Sequence, residues 1–346
     1  NDGKIEGEGT MNVSAEPMTY NIKFATEDLD IAALIGFPTR INARGNISGQ
    51  GTTPMDLAAD LQLNVYNTAL NNITIDRFDV TSHAKDRTID LSIETDAEKA
   101  KSIITGYLAY DKDTIPSYSF IGDVKNLNLG RFLDDDKYRS EMNLYFSLEG
   151  KSFNLDEINA TFAFGIDSSY FQDKWINSSI VEATFKTDST KRSILLSSDF
   201  VDFEIDGNFS LNKAIDLMVY ESKTITEIIT NKLAELNPLS VVNAPVIQDT
   251  VIIVVPSVVD EDIRFDYDFK FKDFDLIALL MGNEQLTIKG SGKGSFSNKA
   301  PNFSISAELD LEQLIMMEKN TTIYLSDFLA DFNFTRDNRS NSFDKL

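Results

Sequence analysis

The 346-residue chain has no cysteine, one histidine and one tryptophan. Without Cys there are no disulfides, thiolate metal sites or Cys nucleophiles. With His83 as the lone imidazole, a His-based metal site and the usual nucleophile–base pairs are excluded as well, and His83 is expected to be a solvated or hydrogen-bonded turn residue. Long apolar runs are also missing. The most apolar stretch, 250–259, is interrupted by Pro256 and is too short to span a bilayer as a helix. Basic residues are scarce beside acidic ones, 32 against 55, for a net charge of −23. Such a chain repels phosphate backbones, so nucleic acid is no partner, and it is repelled by anionic headgroups, so any lipid contact must be apolar. Acidic clusters such as Asp134-Asp135-Asp136 and Asp260-Glu261-Asp262 lack the ligand alternation of a calcium loop and read as solvated surface. No enzyme activity, metal or cofactor is expected.

What the chain has is Phe, 24 residues of it, within a 42% hydrophobic composition that can cover a large apolar face. The dominant pattern is alternation with period two, which predicts strands with one apolar and one polar face. Leu61, Leu63 and Val65 form one such row. Ile73 with Ile75 forms another, as do Ile89, Leu91 and Ile93. Phe162 and Phe164 follow Ile158 and Ala160. Phe203, Ile205 and Phe209 precede Leu211, and Phe265 and Phe269 flank Tyr267. Phe303 and Ile305 lead to Ala307 and Leu309. Short polar clusters between the rows (67–71, 85–87, 110–113, 188–191) predict hairpin turns, and so an antiparallel sheet with neighbours in chain order. One amphipathic helix is predicted in an insertion at about 213–245. Thr224 and Glu227 form a capping box, Ile225, Ile228, Ile229, Leu233 and Leu236 make the apolar stripe, and Pro238 stops it.

Four segments share one internal spacing: Asp28-Leu29-Asp30-Ile31 with Leu34-Ile35, Asn126-Leu127-Asn128-Leu129 with Phe132-Leu133, Asp273-Phe274-Asp275-Leu276 with Leu279-Leu280, and Glu308-Leu309-Asp310-Leu311 with Leu314-Ile315. In each, the second Asp or Asn is placed to cap one turn of helix, and the apolar residue before it is spaced to staple onto the residue at N4. The first three return through glycine-bearing strands. Starts are unevenly spaced, so no fixed-period solenoid is expected.

This motif, the stretch 115–129 (IPSYSFIGDVKNLNL), and DFEIDGNFSL at 202–211 followed by a helix and FDYDFKFKDFDLIALL resemble the AsmA/TamB superfamily, in the form found in the Bacteroidetes–Chlorobi group, over nearly the whole chain. The resemblance implies an all-β fold, an elongated, twisted, mainly antiparallel sheet curled into an open trough with an apolar floor, running through 1–346 as one piece of a longer chain. It implies a location in the periplasm, an inner-membrane anchor outside this sequence, phospholipid acyl chains and outer-membrane assembly or envelope proteins as partners, and lipid passage or outer-membrane biogenesis as the role. The apolar members of the strands above would then line the groove. Three other readings stand beside it: a scaffold that lends strand edges to outer-membrane proteins, an ordinary β-sandwich binding module, and a membrane barrel, for which the runs are short and one Trp makes no aromatic belt.

Overall fold

The computed structural model describes residues 3–111, 115–189, 191–217, 262–272, 278–279, 286–299, 302–318, 321–337 and 342–345. The chain divides into two compact units, one of Asn1–Phe153, Glu157–Phe185 and Leu196–Asp199, the other of Asn154–Asp156, Lys186–Leu195 and Phe200–Leu346.

The first unit is built from β1 (Lys4–Asn12), β2 (Thr19–Leu29), β3 (Thr39–Gln50), β4 (Ala58–Leu70), β5 (Ile73–Lys85), β6 (Thr88–Ala97), β7 (Ala100–Tyr110), β8 (Pro116–Leu127), β9 (Ser140–Lys151), β10 (Asn159–Phe171), the short β11 (Lys174–Ile176) and β12 (Ser179–Asp188), with two single-turn helices, α1 (Ala32–Ile35) and α2 (Leu129–Leu133). Each of β1 to β10 pairs antiparallel with the next, and β12 pairs with β10. A β13 (Lys191–Ser198) follows. In the second unit β14 (Val201–Asn208), β15 (Ile263–Phe271), β16 (Thr287–Lys299), β17 (Asn302–Glu318), β18 (Thr321–Asp337) and β19 (Ser342–Lys345) pair antiparallel in the same sequential way. The architecture is therefore all-β, antiparallel and open. Strand order follows chain order in one layer, without the crossed connections of a sandwich, and among the described residues β1 pairs only with β2.

Local chemistry explains the turns. Asp86-Arg87, Glu98-Lys99 and Gln172-Asp173 each place two consecutive residues at positive φ, the twist that suits a two-residue hairpin. The second of these carries no turn-forming residue type. It is held from outside: the Thr74 amide donates to Glu98 at 2.8 Å, and Arg131 reaches the same carboxylate at 3.0 Å. The Thr74 amide, and then Arg131, hold the Glu98 carboxyl below the usual range. The turn expected at 67–71 lies at Asn71-Asn72, while Asn67, at φ 42°, sits inside β4.

In its first two copies the repeated Asx motif makes the expected single helical turn, α1 and α2, with Asn128 at the N-cap of α2 and Asp30 just before the N-cap of α1, but the turn is held by other bonds than the expected cap and staple. Its first residue breaks the ladder: Asp28 and Asn126 adopt φ of 48° and 57°, where the pairing register shifts, a conformation Asp and Asn tolerate best among side-chain-bearing residues. The amides of Asp28 and Asn126 donate to the Oδ1 atoms of Asn42 (2.9 Å) and Asn143 (3.2 Å), whose Nδ2 groups donate to the carbonyls of Asn67 (2.9 Å) and Ser168 (3.0 Å). The hydroxyls of Thr39 and Ser140 accept the amides of Ile31 and Leu129, both at 2.8 Å. β2–β3–β4 and β8–β9–β10 thus carry the same relay, six strands apart. The expected staples are not what holds these turns. Leu34 is 83% exposed, and neither turn has a side-chain N-cap bond; the Asp30 carboxylate instead accepts the Ala32 amide at 2.9 Å and the Thr39 hydroxyl at 3.2 Å. The fourth copy is no helical turn. Its residues 308–315 lie inside β17, paired on both edges, and the extra residue Glu312 is absorbed as a bulge opposite Lys289 and Gly290. Of the third copy, only 278–279 are described, and they are helical.

Candidate functional site

Register places the predicted groove residues on one face within each unit. In the first unit one row runs Gly7, Phe24, Gly45, Leu63, Val80, Ile93, Ile104, Gly122, Phe146, Phe164, Val181 across eleven strands. The next runs through Ile22, Ile47, Leu61, Ser82, Leu91, Gly106, Phe120, Leu148 and Phe162. Flanking rows contain Ile89 with Leu108 and Tyr118, and Val65 with Phe78, Leu144 and Ile166. Ile73 and Ile75 belong to the same face. Asp76 and Arg77 are both exposed at an irregularity of β5, so alternation resumes in phase at Phe78. These four rows of eleven positions contain no Asp, Glu, Lys or Arg. Charged residues make up 25% of the chain, so their absence from a face this wide is a feature of the strands and not of the composition. At about 4.8 Å per strand the rows extend about 50 Å.

Glycine and aromatic residues are paired across neighbouring strands within each unit. Gly45, Gly106, Gly122, Gly292 and Gly294 lie opposite Phe24, Phe120, Phe146, Phe269 and Tyr267, and a Cβ on any of these glycines would run into the opposing side chain. Each ring occupies the space the glycine leaves, which restores packing a glycine lacks.

The opposite face is polar. Across β1 to β6 it presents Glu8, Lys23, Arg44, Asn64, Arg77, Asp79 and Glu94 around a shallow depression of about 750 Å³. His83 lies on this face within β5, not in a turn, with its Nδ1 2.7 Å from Asp60 and both side chains exposed. Among the described residues no group of acidic or imidazole side chains is arranged to hold a metal, and no helix is long and apolar enough to cross a membrane.

In the second unit Phe203 pairs with Phe269, Ile205 with Tyr267, and Phe265 with Phe296, which in turn faces Ile305. Phe209, Phe265, Phe296 and Phe303 pack with Ile205 and Ile263 into a buried cluster, with rings of Phe265 and Phe296 stacked at 4.8 Å. Here the face is covered. Residues 211–217 are helical, and Ala214 and Leu217 are 1% and 0% exposed against that cluster. The helix begins well before Thr224, and the predicted stripe Ile225, Ile228, Ile229, Leu233 and Leu236 lies outside the described residues. Its start is fixed by Asp156, whose carboxylate accepts from the Leu211 amide (2.6 Å) and the Ser210 hydroxyl (2.9 Å). Burial pushes this carboxyl up, but the Ser210 and Leu211 hydrogen bonds and the nearby Arg192 guanidinium outweigh it and hold it below the usual range. Ser210 itself caps the turn through the Lys213 amide at 3.3 Å. Neither signal is a capping box, and Asp156 is remote in sequence, so the pattern of residues pointed elsewhere.

Comparison with known proteins gives no match: no family model fits the chain, and no curated protein or solved structure matches it.

Proposed function

We propose that this chain is a lipid-bearing segment of a cell-envelope protein. The open sheet curls into a trough, the charge-free face is its floor, and phospholipid acyl chains lie on that floor in the periplasm, carried between the inner and outer membranes or serving outer-membrane biogenesis. The observation that carries this reading is the floor of the first unit: four rows across eleven strands without a charge. The resemblance of its motifs to the AsmA/TamB superfamily supports it. An acyl CH₂ contributes about 0.8 kcal/mol when fully buried, so a chain of about sixteen carbons half covered by the floor gains roughly 6 kcal/mol before ordering costs. That is enough for retention and weak enough for release. With no charged group on the floor, headgroups stay in water at the open mouth and no fixed binding point stops the lipid from sliding. The role needs no catalysis and no cofactor.

The test is purification without detergent followed by mass spectrometry of bound phospholipid, for the native chain and for Leu91→Asp and Phe162→Asp. The proposal expects bound phospholipid in the native chain and its loss from both folded variants. A native chain free of phospholipid would overturn it. Full envelope function of the parent protein carrying either Asp variant would favour the scaffold reading, in which the sheet lends an edge to client strands.

A further inference from the structure

Antiparallel order brings the start of β13, the end of β14, the start of β15 and the end of β16 to one end of the sheet in the second unit. A cavity of about 450 Å³ lies there, and its lining holds three cations, Arg192, Arg264 and Lys299, against one carboxylate, Asp262. Composition favours the reverse, since acidic residues outnumber basic ones 55 to 32. The hollow on the polar face of the same unit does follow composition: six carboxylates, Asp206 and Asp266 among them, surround Lys293. Arg264 faces Asn208 on β14 and Ser297 on β16 in register. Lys299 lies two residues beyond Ser297 on the same face, a diagonal neighbour of Arg264. Among the described residues neither Arg264 nor Lys299 forms an ion pair. Arg192 is 12% exposed, and its guanidinium carbon lies 6.0 Å from the centre of the Phe209 ring. Its Nη2 donates to the Asp156 carbonyl at 2.6 Å, and the Asp156 carboxylate stands 3.8 Å away. That carboxylate already accepts from Ser210, Leu211 and Asn212. The buried Nε of Arg192 has no hydrogen-bond partner among the described residues. The guanidinium is therefore only partly neutralised, and a buried cation is costly until an anion and its hydrogen bonds complete it. Asn208 and Ser189 add an amide and a hydroxyl to the same lining.

We propose that this cavity binds a phosphate group, held by the guanidinium forks of Arg192 and Arg264 and the point charge of Lys299. Phosphate suits the set better than a carboxylate does. The cations come from three different strands, and a phosphate offers acceptor oxygens on several sides, whereas a carboxylate is filled by one fork. The net charge of the chain does not forbid binding. Charges beyond about 8 Å are largely screened at physiological ionic strength, so the cations in contact decide. Free phosphate and the phosphate of a lipid headgroup share this chemistry. The three cations would bind it whether or not acyl chains lie on the floor.

The full chain is titrated by calorimetry, at about 0.1 M sodium chloride, with inorganic phosphate and with a short-chain phosphatidic acid below its micellar concentration. Saturable binding is expected. Arg264→Gln and Lys299→Gln, both at exposed strand positions, should each weaken it about tenfold, the loss of one charge-assisted hydrogen bond. Amide hydrogen exchange of β14 and β15 should stay native in both variants, which separates lost binding from lost folding. Lys293→Gln, in the acidic hollow, should bind as the native chain does. Tighter binding of phosphatidic acid than of phosphate, weakened by the same two substitutions, assigns the site to a lipid headgroup; equal or weaker binding assigns it to free phosphate. No saturable binding of either probe, or binding that Arg264→Gln or Lys299→Gln leaves unchanged, would overturn the proposal. So would an equal loss in Lys293→Gln, which would mark general ionic attraction and no site.

Discussion

Removing the side chain of Asn143 tests the duplicated relay that fixes the ends of the floor strands. The Asn143→Ala change deletes two hydrogen bonds at once, one accepted from the Asn126 amide at 3.2 Å and one donated to the Ser168 carbonyl at 3.0 Å. Both partners are at positive φ, so neither regains a ladder bond by a small shift. A partly exposed hydrogen bond contributes about 0.5–1.5 kcal/mol. Two of them give a loss of roughly 1–2 kcal/mol, with water recovering part of the gross value. The equivalent loss at Asn42 removes bonds of 2.9 Å to Asp28 and Asn67 and should cost the same. Hydrogen exchange reads this locally: the Asn126 amide in Asn143→Ala, and the Asp28 amide in Asn42→Ala, should exchange about tenfold faster, the equivalent of about 1.4 kcal/mol, while mid-strand amides of β6 stay unchanged. Equal exchange in variant and native protein at either site, or a loss of protection spread over the whole first unit, would refute the view that these are two independent local clamps.

Gly122→Val should destabilise the first unit by about 1–3 kcal/mol in urea unfolding, because a side chain there runs into the ring of Phe146; in Gly122→Val/Phe146→Ala the cost should fall. In the second unit, Asp156 titrates below the ordinary carboxylate range, so its contribution is fully present above the unfolded value of about 3.9 and is lost as pH falls through the folded value. Below about pH 4 the Leu211 amide should lose protection, corrected for intrinsic exchange, and Asp156→Asn should flatten that dependence.

Much of the floor was legible in the residues. Rows such as Leu61-Leu63-Val65 and Ile89-Leu91-Ile93 follow a strict period of two, and antiparallel pairing in chain order follows from the short polar gaps between them. What the period could not give is phase across a bulge: Ile75 and Phe78 share a face only because Asp76 and Arg77 both turn to solvent, which depends on the neighbouring strands. The Glu98-Lys99 hairpin has no local signal, since its positive φ values are sustained by Thr74 and Arg131 from elsewhere. The same spacing of Asx and Leu made a helical turn after β2 and β8 but a bulge in β17, because only there do partner strands on both edges hold the backbone extended. The true start of the helix over the Phe209 cluster is not legible locally, because its fixing carboxylate, Asp156, comes from a distant part of the chain.

In the proposed function, acyl chains lie on the charge-free face and not on the polar one. The most direct measurement places a photoreactive amino acid in turn at neighbouring positions of one strand, Leu91 and Ser92 in β6 and Phe162 and Ala163 in β10, then irradiates cells and identifies the adducts by mass spectrometry. Phospholipid adducts are expected at Leu91 and Phe162 and none at Ser92 and Ala163. Adducts at all four positions alike, or at none, would contradict it.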